Sequence, residues 1–107
     1  MRLAANVTVL ASMALLLAAP PANATPCPDV AAVFARGTGE PPGVGIIGQA
    51  FLDALRSDLD GTETLDTYAV NYPASRDYPP AVAGVADAGN HVREISAGCP
   101  DTRIVLG

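Results

Sequence analysis

The residues best placed to do chemistry stand in one glycine-rich run, Ala35-Arg36-Gly37-Thr38-Gly39-Glu40-Pro41-Pro42-Gly43-Val44-Gly45. A run of this kind between a strand and a helix can face an anion, because glycine lets backbone N–H groups converge on a negative oxygen. Three readings follow. Thr38-Gly39-x-x-x-Gly43-Val44-Gly45 reproduces T-G-x-x-x-G-x-G, a spacing that cradles the pyrophosphate of a dinucleotide. Against it, Pro41 and Pro42 remove two donors, Glu40 adds a negative charge, and the chain has no lysine for the Tyr-x-x-x-Lys pair that accompanies the pattern. The second reading is an oxyanion-stabilising loop, in which an N–H near Thr38, with its hydroxyl, faces the oxygen that becomes negative during acyl transfer. The third is an ordinary turn packing a helix against a sheet.

Little else in the chain suggests a reacting group. The only histidine, His91, lies in a helical pattern between Asn90 and Val92, and Ser57, Ser75 and Ser96 stand in no G-x-S-x-G context. A triad is defined by mutual geometry, and nothing in these spacings supports one. Glu40, Asp77 and Asp87 read as solvated charges. No Cys/His/Asp cluster has metal-ligand spacing, so neither a metal nor a cofactor is expected.

The amino terminus bounds the compartment. Met1-Arg2, an apolar run from Leu3 to Ala19 and the small-x-small Ala22-Asn23-Ala24 form an export signal over residues 1–24, with cleavage expected after Ala24. The run is short of the ~20 residues that span a bilayer, so no stable membrane anchor is expected. Cleavage removes Arg2 and no acidic residue, leaving five Arg against eleven Asp and Glu. That acidic balance excludes nucleic acid as a partner. Export places Cys27 and Cys99 in an oxidising compartment, where two cysteines allow one pairing.

The cysteines also say how the elements must lie. Cys-Pro-Asp occurs at Cys27-Pro28-Asp29 and again at Cys99-Pro100-Asp101, each time ahead of a short apolar run, Val30 to Ala35 and Arg103 to Leu106. Cysteines at the heads of two strands meet only if those strands are neighbours and run the same way. Between them, Ile47, Phe51, Leu55 and Leu59 recur at helical spacing from about Gly45 to Leu59, and Asp60-Gly61 ends that helix. Thr67 to Tyr72 is rich in β-formers and stops at Pro73. Pro79-Pro80 opens a second helix, with Val82, Val85, Val92 and Ile95 near one face and Gly98 as its stop. The result is α/β, β-α-β-α-β, a parallel sheet in the order 2-1-3 with one helix on each face, in a single domain over residues 25–107. Thr38, Tyr72 and Tyr78 then share the carboxyl rim of the sheet, where open α/β folds bind ligands.

Cys27-Pro-Asp, Phe34-Ala35-Arg36-Gly37-Thr38-Gly39-Glu40, Asn71-Tyr72-Pro73-Ala74-Ser75 and Cys99-Pro-Asp before Ile104-Val105-Leu106-Gly107 together resemble the cutinase family, in particular its secreted actinobacterial esterases. The resemblance covers residues 27–107. It implies an α/β-hydrolase-type, three-layer fold and serine-dependent hydrolysis of carboxylic esters, whether lipid, polyester or short-chain. Thr38 matches the family's oxyanion Ser/Thr, and Cys27 with Cys99 its first disulfide. Tyr72 and Tyr78 would line a substrate rim. In the family a G-Y-S-Q-G elbow carrying the nucleophile follows the strand matched by Ile104 to Gly107, and the acid and base come later.

The resemblance therefore implies the amino-terminal portion of a cutinase-like esterase, truncated before the nucleophile elbow and inactive alone. Its third strand would present an apolar outer edge, and residues 25–107 by themselves would be marginally stable. The alternatives are a secreted, non-catalytic binding protein and a half-enzyme that needs a complementing carboxyl-terminal half.

Overall fold

A computed structural model describes residues 26–107, with residue 4 besides. The export signal read over residues 1–24 otherwise lies outside the described residues. Among them no helix is long and apolar enough to cross a membrane.

The architecture grows from one strand. In β1 (Val30–Phe34), Val30, Ala31, Ala32 and Val33 are all buried. An uninterrupted apolar run of this kind belongs to a parallel strand covered on both faces. β2 (Leu65–Ala69) pairs with one edge, Val30 opposite Leu65 through Phe34 opposite Ala69. β3 (Arg103–Leu106) pairs with the other, Val30 opposite Arg103 through Val33 opposite Leu106. Both pairings are parallel and the order is β2-β1-β3, as expected. The helix α1 (Gly45–Leu59) covers the face that carries Phe34, while α2 (Tyr78–Ala81) and α3 (Ala83–Gly98) lie over the face that carries Val33 and Tyr68.

The repeated Cys-Pro-Asp does two different jobs. Cys27 and Cys99 are bonded, with their Cα atoms 5.5 Å apart, at the amino-terminal ends of β1 and β3. Asp29 ties β1 to β2: its carboxylate accepts the Thr64 N–H at 2.8 Å, and its own N–H donates to the Thr64 hydroxyl at 2.9 Å. Asp101 is exposed and has no comparable role, because there the strand is aligned by Thr102, whose hydroxyl donates to the Pro28 carbonyl at 2.6 Å.

Five boundaries or faces differ from the sequence expectation. β2 begins earlier than Thr67 because Asp29 fixes Thr64 at its head. It ends before Tyr72 because the Asn71 N–H donates to the Asp87 carboxylate at 2.7 Å and draws the chain off the ladder, after Val70 has made a last bond to the Phe34 carbonyl. The face of α1 that packs is Gly48, Leu52, Leu55 and Leu59, rather than the stripe through Ile47, which is 71% exposed. Phe34 dictates this rotation: a Cβ on Gly48 would stand 2.7 Å from Phe34 Cδ1, so the helix turns this side-chain-free position onto the ring. The second helical stretch is divided at Val82, where the Val85 N–H bonds back three residues to the Val82 carbonyl. In α3 the face toward the sheet is Gly84, Ala88, His91 and Ile95, with Gly84 against the Tyr72 ring and Val85 turned outward.

Candidate functional site

The loop leaving β1 is organised around the side chain of Glu40. One carboxylate oxygen accepts the Gly37 N–H at 2.6 Å, and the other accepts the Ile46 N–H, in the first turn of α1, at 2.9 Å. A carboxylate at that end of a helix is favoured by the dipole and by the unsatisfied N–H groups there. Two glycines make room for it. A Cβ on Gly37 would lie 3.0 Å from Glu40 Oε2, and one on Gly45, where φ is +78°, would lie 2.2 Å away. An anion cradle is therefore present, as the glycine spacing suggested, but the chain's own carboxylate fills it. This is the physical reason a pyrophosphate does not belong there.

The main chain of the same loop is equally committed. The Glu40 N–H donates to the Gly37 carbonyl at 3.1 Å, and the Gly39 N–H donates to the Ala74 carbonyl at 2.9 Å. Ala74 is buried and holds φ at +47°, a conformation that L residues adopt at a cost. From Gly37 to Glu40, only the Thr38 N–H is left over. Thr38 is exposed, and neither its N–H nor its hydroxyl makes a hydrogen bond among the described residues.

Arg36 and Tyr72 brace this loop from below. Arg36 is 8% exposed and forms no ion pair among the described residues. A buried cation needs other compensation, and here Nε donates to the Glu40 carbonyl at 2.8 Å while the guanidinium lies 5.3 Å from the centre of the Tyr72 ring. The Tyr72 hydroxyl donates to the Arg36 carbonyl. Tyr72 is thus half-buried; it also borders an apolar cavity of about 290 Å³ with Val33, Val70, Gly84 and Leu106. Tyr78 stands at the head of α2, 81% exposed. Thr38 and Tyr72 are brought into one assembly, whereas Cys27 and Cys99 staple the opposite end of the sheet.

Two residues read as surface groups turn out to be engaged. The His91 ring stacks on Tyr68, with centroids 3.7 Å apart and planes at 9°. Asp87 accepts from the Tyr68 hydroxyl at 2.9 Å as well as from Asn71. Because only the protonated phenol can donate that bond, Asp87 raises the Tyr68 pKa above its usual 10.0, aided by burial and by the charges of Asp87 and Glu94. His91 makes no hydrogen bond to a serine or carboxylate among the described residues, so this cluster is not a triad. Glu40 and Asp87, read from the sequence as solvated charges, are instead engaged by N–H and O–H donors, and Arg36 had been given no role of its own. For Glu40 there was a signal, the glycines that flank it at 37 and 45.

A parallel sheet in the order β2-β1-β3 between helices, with a glycine-rich donor loop at the carboxyl end of its central strand, defines an α/β-hydrolase-type domain. Solved structures agree. A Trichoderma reesei cutinase bound to a phosphonate inhibitor superposes with a TM-score of 0.66 at 39% identity, over 77% of this chain and 38% of that one. An acetyl xylan esterase gives 0.65 at 30% identity, over 76% and 42%. The chain belongs to the cutinase family, whose family model, described as Cutinase, matches residues 26–107. It is similar to the phospholipase Culp4 of Mycobacterium tuberculosis, 48% identical over 96% of this chain and 43% of that protein. It is also similar to the carboxylesterase Culp1 of Mycobacterium bovis, 47% identical over 92% and 48%. The chain spans about half the length of the curated relatives it matches.

Proposed function

We propose that this chain supplies the amino-terminal part of an exported cutinase-like carboxylic ester hydrolase, with Thr38 as one arm of its oxyanion hole. The observation that carries this is the uncommitted pair of Thr38 donors beside Gly37, Gly39 and Glu40, whose N–H groups are all satisfied, within a chain of this family. When a serine oxygen bonds to an ester carbonyl carbon, the C=O π electrons move onto oxygen. The Thr38 N–H and Oγ–H then bind that oxygen more tightly than the neutral carbonyl, which is what lowers the barrier. Collapse of the intermediate expels the alcohol and leaves an acyl-enzyme for water to hydrolyse.

The nucleophile, acid and base come from outside residues 26–107. Ser57, Ser75 and Ser96 lie outside any nucleophile elbow, Ser75 being engaged by the Asp77 N–H at 3.0 Å. Two of the proteins it resembles are named carboxylesterase and acetyl xylan esterase, beside a phospholipase and a cutinase, and a carboxylic ester is accordingly the substrate class proposed here. The bonded cysteines favour export, since such pairs persist in oxidising compartments.

The test combines the intact mass of the exported protein with hydrolysis of a short-chain p-nitrophenyl ester, with and without a serine-directed phosphonate. Phosphonate-sensitive turnover is expected only in preparations that contain a serine-bearing segment beyond Gly107, on the same polypeptide or on a complementing one. There, Thr38→Ala should lower kcat by roughly 10²- to 10³-fold. Turnover that ignores both phosphonate and Thr38→Ala would defeat the proposal. A folded monomer that binds the ester without cleaving it would favour the binding-protein reading instead.

A further inference from the structure

We infer that Glu40 is a positioning residue, an internal anion whose carboxylate locks the loop so that the Thr38 N–H is held ready for the oxyanion; the inference rests on the esterase reading of Thr38. The geometry is a closed ring. The Glu40 side chain reaches back to the Gly37 N–H, immediately before Thr38, and forward to the Ile46 N–H on α1. Its main chain bonds Gly37 through N–H and Arg36 through C=O. Thr38 sits inside this ring as the residue it does not consume. A helix cap alone would need only the bond to Ile46. The bond to Gly37 fixes the peptide adjoining the donor, and it is the shorter of the two.

Two consequences distinguish this from a passive surface charge. An oxyanion hole works because its donors are fixed before the charge forms, and Glu40 achieves this from a position where both its oxygens are occupied by N–H groups rather than aimed at the substrate. It also closes the cradle to free anions. A carboxylate there should be replaceable by another carboxylate, and only by one: Glu40→Ala leaves a space lined by the Gly37 and Ile46 N–H groups that matches acetate.

The experiment follows the backbone amides of residues 37–46 by NMR in the exported protein, as wild type, Glu40→Ala and Glu40→Gln. Glu40→Ala should move the Thr38 amide signal and speed hydrogen exchange of the Gly37 amide, which loses its acceptor, and millimolar acetate, but not chloride at equal ionic strength, should reverse both. Glu40→Gln keeps the volume and one acceptor, so it should give an intermediate effect even if Glu40→Ala fails to fold. In a preparation with phosphonate-sensitive turnover, Glu40→Ala should lower kcat by about 10- to 100-fold, less than loss of a donor outright, with KM little changed and with rescue by acetate. Unmoved Thr38 signals and kcat, or equal rescue by chloride, would overturn the inference. If a wild-type preparation that contains the serine-bearing segment shows no phosphonate-sensitive turnover, the esterase reading falls, while the amide measurements still decide whether Glu40 holds Thr38.

Discussion

Gly45 and Gly39 both adopt positive φ, +78° and +77°, yet they should respond differently to an added methyl. At Gly39 nothing lies within 4 Å, so Gly39→Ala pays only for the left-handed conformation, about 1 kcal/mol. At Gly45 the methyl also strikes Glu40 Oε2. Gly45→Ala is therefore expected to be the more destabilising in urea titrations, and Glu40→Ala should relieve part of its cost in the double variant. A second residue-scale expectation concerns Tyr68. Its folded pKa is raised, so the neutral phenol stabilises the fold below pH 10.0, and that contribution is lost as pH rises through the folded value. Alkaline spectrophotometric titration should find Tyr68 ionising above 10.0 and Asp87→Ala bringing it back toward that value. The pairing of Cys27 with Cys99 was legible in the sequence because a cysteine count of two names it directly. Asp87 was not, since an acidic residue on a helix looks the same whether water or a tyrosine hydroxyl faces it.

At the scale of elements, the packing of α1 gives the sharpest contrast. Leu52 is 2% exposed beneath the helix, and Leu52→Ala should cost about 2–5 kcal/mol in urea unfolding. Ile47→Gln, on the outer face, should fall within about 0.5 kcal/mol of wild type. Equal effects would mean the helix is rotated from the position described. Helix existence and limits at Gly45 and Leu59 could be read from the sequence, since apolar recurrence and Asp60-Gly61 suffice. Its rotation could not. Hydropathy counts Ile47 as a core residue and Gly48 as nothing, whereas the contact with Phe34 requires the reverse. Likewise Pro73 looked like the terminator of β2, but a hydrogen bond from Asn71 to a carboxylate on a later helix acts first.

At the scale of the molecule, the strand order was readable because the two cysteines constrain it, and the staple they form is long-range, joining positions 72 apart. In the chain-entropy account it contributes about 4 kcal/mol. Cys27→Ser with Cys99→Ser should lower unfolding free energy by up to that amount. Because the staple lies at the far end of the sheet from Thr38, a preparation with phosphonate-sensitive turnover should keep that turnover in the double variant under conditions where it remains folded. A loss of turnover without loss of fold would mean that the two ends are coupled.

The central position of β1 also sets a timetable. Among the described elements it is the first to be synthesised, and it is not flanked on both sides until its second neighbour, which begins only at Arg103, is made. Throughout that interval Val30 to Val33, the most apolar stretch of the sheet, has one flank without a strand, and Cys27 has no thiol to meet. Pairing across such sequence distances is slow and leaves sticky intermediates exposed. The newly made chain is therefore expected to need shielding, and a delay in oxidation, until β3 has arrived.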